Sequence, residues 1–179
     1  GKEEEEESDD TTAAAAVLPL PLPLLELVQH PLPDVSGTSY HLPRWIGRCR
    51  SILQVQSITR WSHKRKLDMR PTGSGHSWST VGHVAKGGVV VDTRLMSRVL
   101  WVESGVVCVQ PGVSLRSLCT ALHARGLCLP CLPVLLRQTV GGAVSTGSHG
   151  SSMRCASLSC SVFCSVDLFD FLSLLLSAC

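Results

Sequence analysis

Two glycine-rich segments constrain most strongly what this chain of 179 residues can fold into. The first covers residues 73–79 and the second residues 141–150. Glycine tolerates positive φ angles and lets the backbone approach another group closely, so such segments form turns, linkers or anion-binding nests. Either segment alone is a weak signal, compatible with a surface turn or a flexible linker. Their position on either side of a hairpin and a helix is a more specific pattern.

β-Strand patterns surround the first segment. Residues 67–70 predict a short strand that leads into it, and residues 89–91 predict a buried strand that ends at Asp92. Residues 99–102 and 106–109 are both rich in valine, and Ser104-Gly105 lies between them as a two-residue turn. This spacing predicts a β-hairpin.

A helix precedes the second segment. Ser114 has the residue type of an N-cap, leucines follow it at helical spacing, and Gly126 stands where a C-terminal glycine cap belongs. Residues 127–132 are expected to be extended. Residues 44–68 are compatible with either a helix or a strand, and the pattern does not choose between them.

The two ends of the chain differ in composition from its middle. Residues 1–43 join an acidic run to alternating leucine and proline, which predicts a disordered, low-complexity tail, because proline removes a backbone donor. Residues 44–157 are expected to form the folded domain, and residues 158–179 an apolar tail outside it. Asp167 and Asp170 argue against a membrane-spanning helix in that tail, although a membrane anchor stays an alternative.

Several classes of protein fit the composition poorly. A net charge of +2 without a clustered basic face argues against a nucleic-acid partner. Nine cysteines, an odd number at irregular spacing, argue against a secreted disulfide framework. Cys128 and Cys131 form a CxxC pair, but no second pair follows, so no metal site is predicted. The acidic start resembles neither a signal peptide nor a transit peptide.

The first glycine-rich segment matches neither of the common nucleotide-binding motifs. It reads Gly73-Ser74-Gly75-His76-Ser77-Trp78-Ser79. Trp78 stands where the dinucleotide fingerprint needs a third glycine or alanine, and no Gly-Lys-Ser/Thr follows, as a P-loop requires. The segment can nevertheless present backbone amides and serine hydroxyls to a phosphate.

At this point the order of motifs resembles a known family. Residues 69–79 are similar to the pyrophosphate loop of the PCMH-type FAD-binding domain of vanillyl-alcohol-oxidase-like flavoproteins. Residues 91–99, 110–115 and 126–133 match that family in order, and residues 138–152 resemble its Gly-Gly-Ala-x-x-Thr-Gly-x-His-Gly segment. The nearest likeness is to aldonolactone oxidases of the gulonolactone and D-arabinono-1,4-lactone types. The resemblance implies an α+β fold, the truncated N-terminal part of such a domain, with small β-sheets and packed helices.

The resemblance also implies FAD as the cofactor. His76 corresponds to the histidine that bonds covalently to the flavin in part of the family, and the alternative is a histidine that is hydrogen-bonded near the ring. The residues expected to contact FAD are Gly73, Ser74, Gly75, His76, Ser77, Trp78, Gly141, Gly142, Thr146, Gly147, His149 and Gly150.

The implied activity is oxidation of a CH–OH group of a sugar 1,4-lactone to an ascorbate-like product, with oxygen or another acceptor taking the electrons. The substrate-side groups of the family lie beyond residue 152, so no catalytic residue is expected here and the chain alone is expected to be inactive. Membrane association, in mitochondria or the endoplasmic reticulum, follows from the resemblance only. Three alternatives stay open: an alditol oxidase, a phosphate-binding module without redox chemistry, and a membrane-associated interaction protein that uses residues 18–27 and the apolar tail.

Overall fold

A computed structural model of the chain describes residues 25–29, 32–33, 40–163 and 174–177. Its helices and strands follow one another in a mixed order, which confirms the expected α+β class. The elements are β1 Leu25–Leu27, β2 Leu32–Pro33, β3 Tyr40–His41, β4 Trp45–Arg48, α1 Ile52–Lys64, β5 Met69–Thr72, β6 Val89–Asp92, β7 Val99–Glu103, β8 Val106–Val109, α2 Leu115–His123, α3 Val140–Ser145, β9 Val162–Phe163 and β10 Leu174–Ser177. Two short 3₁₀ turns lie at Thr80–Gly82 and Leu158–Ser161.

The first sheet has the strand order β1-β4-β6-β5. Strands β4 and β5 both run parallel to the central strand β6, and β1 pairs antiparallel with β4 at one edge. All four residues of β6 are buried, as is usual for the inner strand of a parallel sheet. Helix α1 covers this sheet with Ile58 and Trp61, which share a core with Val89 and Val91.

The second sheet has the strand order β7-β8-β10-β9. The predicted hairpin is confirmed: β7 and β8 pair antiparallel around Ser104 and Gly105, whose φ angles of 50° and 74° are those of a hairpin turn. The predicted helix is confirmed as α2. Its buried leucines pack against Val107 and Val109 of β8.

The structure also resolves what the sequence pattern left open. The ambiguous stretch divides into strand β4 and helix α1, and the Ser51 hydroxyl accepts from Gln54 N at the helix start. The strand expected at residues 67–70 begins two residues later, as β5. Residues 127–132 belong to no strand.

Two features of the described structure lie outside residues 44–157, the range expected for the folded domain. Strand β1 lies inside the range expected to be a disordered tail, because Leu25, only 4% exposed, packs into the core of the first sheet. Most of that range lies outside the described residues. At the other end, the fully buried Leu158 belongs to the core of the second sheet, although residues 158–179 were expected to lie outside the domain.

Within the described ranges, no helix combines the length and the apolar character needed to cross a membrane.

Candidate functional site

The first glycine-rich segment, which we call the first loop (residues 73–79), begins where β5 ends. It therefore leaves from the carboxyl edge of the parallel strands. Among the residues that the structure describes, the backbone N–H groups of residues 74–77 have no hydrogen-bond acceptor. Gly75 adopts φ +73°, and a Cβ placed on it would face open space. Successive free N–H groups around a left-handed residue form a concavity suited to an anion.

The side chains of the first loop differ in what they contact. The Ser77 hydroxyl donates to the Ser79 carbonyl over 3.2 Å and accepts from the Ser79 N–H over 3.3 Å, so it shapes the turn. His76 is half-buried and has no hydrogen-bond partner in the described part of the chain. Trp78 is 81% exposed. The imidazole of His76 is thus available to a bound group.

The two glycine-rich segments meet at Thr139. Its backbone N–H donates to the Ser74 hydroxyl over 3.2 Å, across a separation of 65 residues in the chain. A Cβ on Gly73 would lie only 2.1 Å from Thr139 Oγ1, so no side chain fits there. The same hydroxyl accepts from the Gly142 N–H over 3.4 Å as the N-cap of α3. One buried threonine therefore holds both segments together.

The start of the second segment is a helix, not the continuous loop that its glycine content predicts. Helix α3 forms because Thr139 caps it and because Val140 and Ala143 are buried in the core of the second sheet. Gly141 donates its N–H to the Pro111 carbonyl over 2.8 Å, and a Cβ on it would lie 2.8 Å from Pro111 Cβ. Gly141 thus permits close packing and has no free donor for a ligand.

The end of the second segment, residues 146–150, folds back on the domain. The Thr146 hydroxyl donates to the Gly142 carbonyl over 2.9 Å, and Gly147 adopts φ +63°. His149 is exposed, and its Nδ1 lies 2.9 Å from the carbonyl oxygen of Gly150. A Cβ on Gly150 would lie 2.5 Å from the Leu132 carbonyl oxygen. No hydrogen bond joins these residues to the first loop within the described ranges.

An ion pair supports the same edge of the first sheet. The Asp92 carboxylate is 1% exposed and accepts from the Arg94 backbone N–H and guanidinium over 2.6–3.0 Å. The hydrogen bond to Asp92 raises the pKa of Arg94. A Cβ on Gly112 would lie 2.1 Å from the carbonyl oxygen of Thr93, between these two residues. The Pro111-Gly112 turn is therefore docked onto this edge, and Gly141 docks onto Pro111.

Thr139, Asp92 and Arg94 were absent from the site predicted by sequence. Thr139 carried a usable signal, since threonine is one of the residues preferred at the N-cap of a helix. The role of the other two depends on where β6 ends in the sheet. Among the described residues, no His, Cys, Asp or Glu side chains are grouped in threes so as to hold a metal ion.

Comparison with known proteins places the chain in a family. The model of a family described as FAD binding domain matches residues 43–171. A Neurospora crassa protein provisionally named D-arabinono-1,4-lactone oxidase is 33% identical over 121 residues, which are 66% of this chain and 21% of that protein. The mitochondrial L-galactono-1,4-lactone dehydrogenase of Arabidopsis thaliana is 32% identical, over 70% of this chain and 20% of its own.

Further comparisons agree with the same fold. L-gulonolactone oxidase of Mus musculus is 30% identical over 66% of this chain and 26% of its own. The chain thus spans a fifth to about a quarter of the length of these relatives. A crystal structure of cholesterol oxidase from Brevibacterium sterolicum matches 91% of the chain with a TM-score of 0.67 and 20% identity, and covers 40% of that structure. An alkyldihydroxyacetonephosphate synthase matches 88% with a TM-score of 0.72 and 18% identity, over 38% of its own chain.

Proposed function

Because the chain belongs to the family of FAD binding domains, we propose that its first loop binds the diphosphate of FAD, within a protein that oxidises a sugar lactone. The observation that carries this proposal is the run of unpaired N–H groups at residues 74–77. Gly75 is exposed and the other three residues are half-buried, so a ligand can reach these N–H groups. A diphosphate supplies oxygens for several of them at once.

The charge of the first loop fits an anionic ligand. Residues 73–79 contain no acidic side chain that would repel a diphosphate. Gly75 faces open space at φ +73°, which leaves room for a phosphate against the backbone. The Ser74 hydroxyl accepts from Thr139 N, so its own proton is free to be donated.

His76 is the residue that we propose for attachment to the flavin. It is the third residue of the four-residue nest at residues 74–77, is half-buried, and has no protein partner among the described residues. When bound, FAD supplies a two-electron acceptor for a C–H bond beside a hydroxyl. The part of this chain is to bind and orient that group, and His76 keeps it from dissociating.

The second segment contributes to the proposed site mainly through shape. Gly141 allows α3 to lie close to the Pro111-Gly112 turn, Gly142 donates to the Thr139 hydroxyl, and Thr139 fixes α3 against the first loop. Gly147 and the exposed His149 are available to line the opposite side. Thr146 and Gly150 act through the backbone contacts that hold this turn.

The substrate belongs to the proposal as well. Three relatives are named for aldonolactones, which supports a sugar 1,4-lactone of the D-arabinono or gulono type as the substrate of the whole protein. Transfer of the electrons to oxygen, or to another acceptor, and association with a mitochondrial or endoplasmic reticulum membrane are hypotheses of the same kind. The name of the Arabidopsis relative includes the word mitochondrial.

Binding of flavin by the purified chain tests the proposal. We expect a yellow protein, and flavin fluorescence that stays with the acid-precipitated chain and is lost in His76→Ala. A chain that is purified without flavin after expression, and that binds ADP as tightly as it binds FAD, would instead favour the phosphate-binding module without redox chemistry. Retention of acid-stable fluorescence in His76→Ala would contradict the assignment of His76.

A further inference from the structure

Two cysteines lie on neighbouring segments behind the second glycine-rich segment. Cys131 is 6% exposed and belongs to the core of the second sheet, and the half-buried Cys155 packs against the same core. The thiol of Cys131 donates to the carbonyl of Ala156, the residue after Cys155, over 3.2 Å. The two thiols therefore share one small region, although 24 positions separate them in the chain.

Backbone contacts hold the Cys155 segment in place on both sides. Gly150 abuts the Leu132 carbonyl, one residue after Cys131. The Leu158 N–H donates to the Ser148 carbonyl over 2.9 Å, and the Leu158 side chain is fully buried. Ser159 Oγ donates to the Val144 carbonyl of α3 over 2.6 Å. Residues 150–158 thus form a short span, anchored at both ends, that runs past Cys131.

We propose that Cys131 and Cys155 are a modification site, at which hydrogen peroxide converts the two thiols into a reversible disulfide. Cys160 is a less suitable partner, because it is exposed and its sulfur lies 3.6 Å from the Ser157 hydroxyl. The bridge closes a ring from residue 131 to residue 155, which contains α3 and the turn at residues 146–150. The inference goes beyond the proposed function and does not depend on FAD.

The chemistry assigns a different role to each thiol. Cys155, the more exposed, attacks a peroxide oxygen as its thiolate. The O–O bond breaks, leaving a sulfenic acid on Cys155 and hydroxide that becomes water. The Cys131 sulfur then attacks the Cys155 sulfur, an S–S bond forms as the S–O bond breaks, and the Cys131 proton leaves with the hydroxyl group as a second water. The two thiols lose two electrons and the peroxide gains them.

The environment of Cys131 fits the second role. Burial, and then the neighbouring Cys155 thiolate, raise the pKa of Cys131. A thiol that stays protonated at neutral pH is a poor first nucleophile. It can still resolve a sulfenic acid that forms beside it and thereby prevent oxidation of Cys155 to the irreversible sulfinic acid.

Peptide mapping after oxidation tests the proposal. The chain as purified is reduced, freed of reductant and treated with equimolar hydrogen peroxide. Its remaining thiols are alkylated, and tryptic peptides are analysed by mass spectrometry. Trypsin leaves Cys128 with Cys131 between Arg125 and Arg137, and the peptide after Arg154 carries four cysteines: Cys155, Cys160, Cys164 and Cys179. The single variants Cys128→Ser, Cys160→Ser, Cys164→Ser and Cys179→Ser therefore assign the bridge, and each should retain it with the loss of two titratable thiols.

Controls separate proximity in the fold from general reactivity. The Cys155→Ser variant should lose the bridge and keep Cys131 as a free thiol, and dithiothreitol should reverse the wild-type bridge. A bridge that persists in Cys155→Ser through Cys160 would overturn the proposal. So would an equal yield in the urea-unfolded chain, or Cys155 oxidised to the sulfinic acid without a bridge. Neither cysteine belongs to the proposed FAD site, so this test and the flavin-binding test can fail independently.

Discussion

At the scale of single residues, Thr139 links the parts of the candidate site. Its N–H reaches the first loop, its hydroxyl caps α3, and the absence of a side chain at Gly73 makes room for it. Because three contacts converge on one buried residue, substitutions around Thr139 should affect cofactor binding and stability together.

The first prediction concerns Gly73. In Gly73→Ala the new methyl group would lie 2.1 Å from Thr139 Oγ1, so the two segments must move apart. Overpacking of this kind costs about 1–3 kcal/mol. We expect a free energy of unfolding lower by that amount in urea titrations, and weaker FAD binding. Gly82→Ala is the matched control, since a Cβ there meets no atom within 4 Å. Equal effects of the two substitutions would contradict the proposed close approach.

The second prediction concerns Gly75 and its positive φ. An alanine in this conformation costs about 1–2 kcal/mol, so the loop should relax away from the nest geometry. FAD binding must then restore the nest conformation, and the free energy that this requires weakens FAD affinity by about tenfold. Flavin fluorescence titration measures this, again with Gly82→Ala as control. An unchanged affinity would show that residues 74–77 do not bind the diphosphate.

The third prediction concerns pH and a pair of stacked histidines. The centroids of the His41 and His83 rings lie 4.5 Å apart, and the angle between the ring planes is 7°. His41 Nδ1 accepts from the Val84 N–H over 3.3 Å. Burial, and then the nearby His83, lower the pKa of His41 from its ordinary value of about 6.5. The unfolded chain therefore binds this proton first as pH falls.

It follows that the free energy of unfolding should decrease as pH falls through about 6.5, and should level off below the folded-state pKa. Urea titrations between pH 8 and pH 5 measure this decrease. The His41→Gln variant should have a smaller decrease over the same range, because its side chain does not titrate. A wild-type decrease no larger than that of the variant would count against a role for the pair.

At the scale of elements, α2 is the support for the second sheet and for α3. The Ser114 hydroxyl caps it by accepting from Ser117 N over 3.0 Å. The N–H groups of Leu115 and Arg116 then donate to the carbonyls of residues 138 and 136. These bonds hold the segment before α3 against the first turn of α2. The position of Thr139 is thus set by a helix that makes no hydrogen bond to the first loop in the described ranges.

The fourth prediction tests the core that fixes α2. Leu118 is fully buried between the helix and the second sheet, so Leu118→Ala leaves a cavity and should cost about 2–5 kcal/mol. Leu53→Ala on α1 is the control, since Leu53 is 75% exposed and should change stability by less than about 0.5 kcal/mol. Chemical denaturation of both variants measures the difference, and similar values would contradict the burial of Leu118.

At the scale of the whole molecule, the proposed site lies where two separately cored sheets meet. The first loop leaves the parallel sheet, and α3 packs on the core of the second sheet. A ligand held by the first loop and by the glycines of the second segment would therefore stabilise the interface between the two halves. Binding to the folded state alone raises the free energy of unfolding by mass action.

The fifth prediction follows from this arrangement. FAD at one hundred times its dissociation constant should raise the free energy of unfolding by about 2.7 kcal/mol. For a domain of this size, that corresponds to a rise in Tm of roughly 5–10 °C. Thermal unfolding followed by circular dichroism measures the shift. Riboflavin, which lacks the phosphates, should produce little change at the same concentration. A shift of equal size with riboflavin would contradict binding through the diphosphate.

Sequence patterns identified the elements whose causes are local. The hairpin turn at Ser104-Gly105, the Ser114 cap and the buried strand before Asp92 each depend on residue types within a few positions, and all are present. The order of motifs also identified the family, whose model matches residues 43–171. The residues that touch FAD stay predictions.

Contacts between distant parts of the chain could not be predicted from local sequence patterns. A glycine-rich run predicts a loop from its local conformational freedom, yet α3 forms there because burial of Val140 and Ala143 outweighs that freedom. Leu25 joins a strand for the same reason, despite its proline-rich surroundings. The meeting of Ser74 with Thr139 depends on how two cores pack together, and that free energy belongs to the folded domain and to no short stretch of residues.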